Sequence, residues 1–120
     1  MAFSKKNAGT PDETRKFEKG KLEVVKVGEM TIGRGTYEPG WKWSECVKPI
    51  VKTDSCQSHH VGYVISGQMS GVMNDGTTWK LGPGDVVDLP PGHDAWIVGD
   101  EPAIFIDFMG AGQYGKPGTK

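Results

Sequence analysis

The sequence contains no long hydrophobic run and no excess of either charge. No window approaches the roughly 18 apolar residues that a membrane-spanning helix requires, and the N-terminal stretch MAFSKKNAGTPD lacks the apolar region of a signal peptide. Lys and Arg number 14 against 15 for Asp and Glu, so electrostatics gives no reason to expect a nucleic-acid or membrane partner. We therefore expect a cytoplasmic protein.

Cysteine is also scarce, since the chain has only Cys46 and Cys56. Two cysteines cannot form the dense disulfide framework of a small secreted domain. In the reducing cytoplasm both should be thiols. Metal binding or a reactive role is then favoured over a structural disulfide.

Glycine and proline, by contrast, are plentiful and evenly spread, with 18 and 8 residues among 120. They separate short β-branched and aromatic runs, the pattern of a sandwich or small barrel with eight or nine strands and no helix. The Asn74-Asp75-Gly76 sequence is a strong hairpin signal because these residues tolerate positive φ. The predicted strands are 22–27, 30–37, 41–51, 61–66, 69–73, 77–81, 85–89, 93–98 and 103–108.

The composition divides the chain into three parts. Residues 1–20 are polar without periodicity, which predicts a flexible N-terminal arm or an edge strand. Residues 21–108 contain the strand signals and are expected to form one barrel domain. Residues 109–120 have the composition of a flexible C-terminal tail.

The stretch DSCQSHH places several metal-ligand side chains close together. In an extended backbone Asp54, Cys56, Ser58 and His60 share one face, whereas His59 points the other way. Two interpretations remain open for the shared face. It could hold a metal ion, or it could contain a buried cysteine and a hydrogen-bonded core histidine.

The run HVGYVISGQMSGVMNDGTTWKLGPGDVVDLPPGHDAWIV resembles the conserved barrel of the cupin superfamily. Gly84, Pro90 and Gly92 match its second motif, G-x5-P-x-G-x2-H-x3-N. Ala95 occupies the usual histidine position, and His93 precedes it by two residues on the same strand face. The resemblance implies an all-β, single-domain jelly-roll barrel, also called a double-stranded β-helix.

The resemblance also implies where a metal would bind. Counting back from Gly67 puts His60 at the glutamate position of the first cupin motif, G-x5-H-x-H-x3,4-E-x6-G. Two alternative counts put Cys46, or Cys56 with Asp54, at its histidine positions. We therefore expect a site of Cys56, His60 and His93, with Cys46 or Asp54 as a fourth ligand. Nitrogen and sulfur ligands favour zinc, while iron, copper, manganese and nickel also fit such a site.

Three functions are consistent with the resemblance. The first is a metal-dependent oxygenase, isomerase or lyase acting on a small organic molecule. The second is a non-enzymatic sensor of a metabolite or metal, and the third is an interaction domain that has lost its metal. We also expect a homodimer in which residues 22–27 pair with a sheet edge of the partner.

Five further side chains have open roles in the sequence. Trp41 and Trp43 could line the cavity, form core or contribute to the interface, and Trp96 should lie outside the barrel or at a dimer contact. Asp94 could orient a neighbouring histidine. Asp107 could lie near the barrel mouth or on a solvated face.

Overall fold

The computed structural model describes residues 2–111. Within them, none of the helices is long or apolar enough to cross a membrane. The elements in chain order are β1 Glu13–Phe17, β2 Gly20–Val27, β3 Met30–Tyr37, α1 Trp43–Cys46, α2 Lys48–Val51, β4 His60–Ser66, β5 Gln68–Met73, β6 Thr78–Leu81, β7 Val86–Leu89, β8 His93–Val98 and β9 Ala103–Met109.

The strands form two antiparallel sheets with the core between them. The larger sheet has the order β1-β2-β3-β9-β4-β7 and the smaller has the order β6-β5-β8. Val24, Val64 and Phe105 from the larger sheet belong to one buried cluster with Ala95 and Ile97 from the smaller. The predicted all-β jelly-roll barrel is confirmed.

Several predicted strands have the expected bounds. β3 and β8 cover residues 30–37 and 93–98 as predicted. The Asn74-Asp75-Gly76 turn joins β5 to β6, and its closing bond runs from the Met73 N–H to the Thr77 carbonyl at 2.8 Å. The Asp75 side chain accepts a bond from the Thr77 N–H at 2.9 Å, which explains the strength of the turn signal.

The predicted strand over residues 41–51 is wrong, because most of this stretch forms α1 and α2. Pro49 lies in the first turn of α2, where its missing N–H costs no helical hydrogen bond. Trp43, Cys46 and Val47 are all buried, and their i, i+3, i+4 spacing gives the helical segment one apolar side. The alternation of Trp41 and Trp43 suggested a strand, but the structure follows the helical spacing of Trp43, Cys46 and Val47.

The N-terminal strands change one expectation about assembly. β1 lies within the segment for which the sequence left an arm and an edge strand open, and it pairs along β2. β2 also pairs along β3, so both backbone edges of β2 are occupied within the chain. The expected pairing of residues 22–27 with a partner's sheet edge is therefore wrong. The homodimer itself stays a prediction, as do the bounds of arm, barrel and tail; residues 112–120 of the tail lie outside the described residues.

A β-bulge in β9 shapes the end of the barrel near β4. Val61 pairs with Met109, and the next residue, Gly62, pairs with Asp107, so Phe108 is the extra residue. Asp107 is buried on the same face as Ala103 and Phe105, as alternation dictates, whereas Met109 beyond the bulge is exposed. A Cβ atom at Gly62 would overlap the Ile106 carbonyl oxygen and the Phe105 ring. This close approach requires glycine there.

We predict that Gly62→Ala lowers the free energy of unfolding by about 1–3 kcal/mol, because the new methyl group meets backbone that cannot move aside cheaply. Gly82→Ala is the matched control, since nothing lies within 4 Å of its added Cβ, and it should leave stability unchanged or slightly raised. Urea unfolding of the metal-free proteins measures both. Equal stability of the two variants would contradict the close approach at Gly62.

Candidate metal centre

Cys56, His60 and His93 meet where the two sheets approach each other. The Cys56 N–H donates to the His93 carbonyl at 2.8 Å, and the His93 N–H donates back to the Cys56 carbonyl at 3.3 Å. This isolated bridge fixes Cys56 beside the first residue of β8. His60 is the first residue of β4. The three side chains are buried, with residue exposures of 3%, 8% and 2%.

The three side chains have the spacing of ligands to one ion. One ligand atom from each lies within 4.8 Å of the others, and the Cys56 Sγ to His60 Nε2 distance is 3.7 Å. Tetrahedral coordination with a Zn–S bond of about 2.3 Å and a Zn–N bond of about 2.0 Å gives an S···N separation of about 3.5 Å. The Cys56–His60 separation therefore matches a tetrahedral ion, and the ligand atom of His93 lies within 4.8 Å of both.

The other ring nitrogen of each histidine has its own partner. His60 Nδ1 lies 2.5 Å from Asp107 Oδ2, and His93 Nδ1 donates to the Pro90 carbonyl at 2.8 Å. Asp107 is itself held, because its Oδ1 accepts the Met109 N–H at 3.0 Å. Such partners fix the ring orientation of metal-binding histidines and leave Nε2 for the metal.

The buried position of these groups changes how Cys56 and His60 titrate. Burial opposes ionisation of the Cys56 thiol, but hydrogen bonds and charge interactions with His60 and His93 outweigh it and lower its pKa to about 6. Burial likewise opposes protonation of His60, but its hydrogen bonds to Asp107 and Cys56 prevail and raise its pKa to about 9. At neutral pH Cys56 is a thiolate, the form that binds metals.

Other candidates from the sequence lie outside this group. Cys46 is buried in α1 as part of the core, and neither it nor Cys56 is in a disulfide. Asp54 is exposed. His59, the residue before β4, is not in the group, and its Nε2 lies 2.5 Å from Asp88 Oδ1 at the surface.

Two aspartates have roles that the sequence left open. Asp94 orients no histidine; its Oδ1 accepts the Ser44 N–H at 3.1 Å at the start of α1. Asp107 holds His60 instead. The strand AIFIDF is apolar on both faces, so its alternation could not tell which face Asp107 occupies. The one available signal was a carboxylate in an otherwise apolar strand.

A small cavity of about 40 Å³ adjoins the histidines. Its walls are otherwise mostly apolar, and they include Trp41 and Trp43. Trp96 does not line the cavity; it is half-buried, and the Lys42 ammonium lies 5.5 Å from its ring centroid. A water molecule needs about 10–15 Å³ of such space, so there is room for an ion and a few further atoms. The full lining is Tyr37, Trp41, Trp43, His60, Met69, Leu81, Leu89, His93, Ala95 and Phe105.

No protein-family model matches this chain, and no curated protein matches it in sequence. Solved structures do resemble it. A Rhizobium leguminosarum protein of unknown function is 23% identical, with a TM-score of 0.61, over 91% of this chain and 99% of its own. The Lactobacillus farciminis oxalate decarboxylase formate complex is 20% identical, with a TM-score of 0.58, over 85% of this chain.

Bacillus subtilis oxalate decarboxylase, which has Mn(II) centres, is 23% identical with a TM-score of 0.52 over 83% of this chain. The chain spans 32% and 27% of the length of the two decarboxylases. These likenesses concern the arrangement of the strands, and they agree with the motif residues of the second half of the sequence. The chain has the cupin fold.

Proposed function

We propose that the protein is a small metal-dependent cupin in which Cys56, His60 and His93 hold one divalent transition metal that acts on a small molecule. The observation that carries the proposal is the convergence of one thiolate and two oriented imidazoles within 4.8 Å. Three protein ligands leave the fourth tetrahedral position open, as in catalytic zinc sites, whereas structural zinc sites are closed by four.

The donor set favours zinc. A soft thiolate with two imidazoles suits zinc better than a hard ion such as magnesium, and copper or iron would also be accepted. Manganese prefers oxygen ligands, and the Mn(II) centres mentioned above belong to the decarboxylase. The direct ligand set proposed for this chain contains no carboxylate.

The protein groups around the proposed metal have distinct tasks. A bound metal supplies Lewis-acid activation of a substrate or water at the open position. Cys56 partly neutralises the charge of the ion. Asp107 keeps His60 oriented, and the Pro90 carbonyl does the same for His93. The apolar walls limit access of water and strengthen electrostatic interactions inside the cavity.

A metal or metabolite sensor is the second candidate, and the small cavity favours it. About 40 Å³ admits only a compact ligand, whereas a larger organic substrate would require the cavity to open. Turnover of small substrates by the metal-loaded protein separates an enzyme from a sensor. A protein that binds no metal would instead be the interaction domain. The cytoplasmic location stays a prediction for all three functions.

Protein produced without a histidine tag in metal-replete medium should contain roughly one metal ion per chain, measured by elemental analysis after reducing, anaerobic purification. His60→Ala, His93→Ala and Cys56→Ser should each lose most of it, because each removes a ligand. His59→Ala is the control and should retain the metal. Substoichiometric metal in the wild type, or equal losses in the His59 and His60 variants, would contradict the site; circular dichroism checks that each variant is folded.

Asp107→Asn should weaken metal affinity by about 10- to 100-fold, because an amide orients and polarises the His60 ring less well than a carboxylate. Asp88→Asn is a matched control, since Asp88 makes the same contact with His59 at the surface. Competition with a chromophoric chelator measures both affinities. Equal affinities in the two variants would show that the Asp107 contact does not support metal binding.

In the metal-free protein the ultraviolet absorbance of the Cys56 thiolate should disappear as pH falls through about 6. The direction follows from the lowered pKa: the thiolate persists below the ordinary thiol pKa of 9.0 and protonates only near 6. Cys46→Ser should retain this absorbance step and Cys56→Ser should lose it. A step near 9 assigned to Cys56 would contradict the thiolate–imidazolium contact.

A further inference from the structure

The Trp41 indole N–H is a buried donor without a partner among residues 2–111. Trp41 is 2% exposed, and no described residue accepts a hydrogen bond from its Nε1. Its ring packs against Tyr37 with centroids 4.5 Å apart, and its carbonyl accepts the Ile97 N–H at 3.0 Å. Both contacts hold the residue in place, so the unmet donor is part of a fixed wall.

Trp41 also lines the cavity that contains His60 and His93. A buried N–H without an acceptor bears its full desolvation cost, and such groups in folded proteins usually have a ligand, water or ion as partner. A ligand bound beside Trp41 could therefore supply the acceptor atom that the described residues do not.

We propose that this cavity binds a compact anion that occupies the open metal position and accepts a hydrogen bond from Trp41 Nε1. This inference rests on the metal site of the proposed function. It adds the chemical class of the ligand and names Trp41 as a specificity-determining residue.

The chemistry of the walls selects this class. An indole N–H can only donate, and a metal ion accepts electron pairs, so both groups favour a ligand with several lone pairs. One thiolate and one dication leave a net positive charge among the directly bound groups, which attracts an anion to the open position, although the buried Asp107 carboxylate behind His60 offsets part of it. An ammonium group would meet a metal ion and an indole donor and is excluded.

The size of the cavity restricts the ligand further. About 40 Å³ shared with a metal ion leaves room for roughly three non-hydrogen atoms. Formate has this size, and its carboxylate offers two acceptor oxygens, one for the metal and one for the indole N–H. An aromatic carboxylate such as benzoate has the same charge but does not fit.

Trp79 provides a matched control. Its indole N–H is also buried without a described partner, and its ring lies edge-on to His93 with centroids 6.5 Å apart. It is not among the residues that line the cavity. Trp79→Phe thus makes the same chemical change near the same histidine but outside the proposed subsite.

The test uses protein loaded with Co(II), whose visible spectrum reports ligands at the metal, and titrates it with formate. The wild type should show saturable binding. Trp41→Phe should raise the Kd for formate by about 10- to 100-fold, the loss expected for a hydrogen bond to a charged group. Trp79→Phe should leave the Kd within about twofold, and benzoate should not bind.

The outcomes separate the two proposals. Failure of the wild type to bind Co(II) would overturn the proposed function. Normal Co(II) binding without a formate response, or equal Kd changes in both variants, would overturn only the anion subsite. If Trp41→Phe does not fold, nuclear magnetic resonance of the zinc-loaded wild type decides. The Trp41 indole proton signal should move on formate addition while that of Trp79 does not, and an unmoved Trp41 signal would refute the contact.

Discussion

The backbone pairing between Cys56 and His93 is the contact on which the candidate site depends. Residues 52–59 are irregular, and nothing in their local sequence forces Cys56 inward. The bridge to β8 does so with bonds in both directions, and the Gly92 N–H adds a third to the Cys56 carbonyl at 2.7 Å. Because Gly92 has φ of +93°, it can make this approach without the strain that a side chain would add. Four residues after Cys56, His60 enters the opposite sheet, so one short segment spans both sheets and brings its two ligands together.

The sequence predicted much of the fold because alternation and turns are local signals. β3 and β8 had such signals at both ends, and their bounds agree with the prediction. For β1 the sequence left an arm and an edge strand open, because ETRKF is nearly all polar. The partly buried Arg15 side chain has polar partners there: it forms an ion pair with Glu13 at 2.8 Å and donates to the Ala111 carbonyl at 2.7 Å. A local sequence pattern cannot predict the contact between Arg15 and Ala111, which are far apart in the chain.

The sequence predicted the three ligands of the candidate site but not the partner that orients His60. Counting alternate residues along an extended chain predicted Cys56, His60 and His93, and these are the residues that the structure brings together. For Cys56 the cause is the bridge to His93, because residues 52–59 do not form a strand. The partner of His60 depends on the pairing of β9 with β4, including the bulge at Phe108. The bulge lies beyond Asp107, so Asp107 keeps the buried face of Phe105, and the pairing of the two strands sets which side chain of β4 it meets. The role of Asp107 therefore follows from tertiary structure, and no count along the sequence could have assigned it.

Burial, rather than pairing, distinguishes the two adjacent histidines. His59 and His60 each lie 2.5 Å from an aspartate oxygen, but side-chain exposures are 37% and 71% for His59 with Asp88 and only 10% and 5% for His60 with Asp107. An exposed pair contributes about 0–1 kcal/mol to stability, because water solvates both groups in either state. Removing one member of a buried pair costs about 3–5 kcal/mol, because the other is left without compensation. The same two residue types thus form a replaceable surface contact on one face of the strand. On the other face they form a constraint that fixes where His60 Nε2 points.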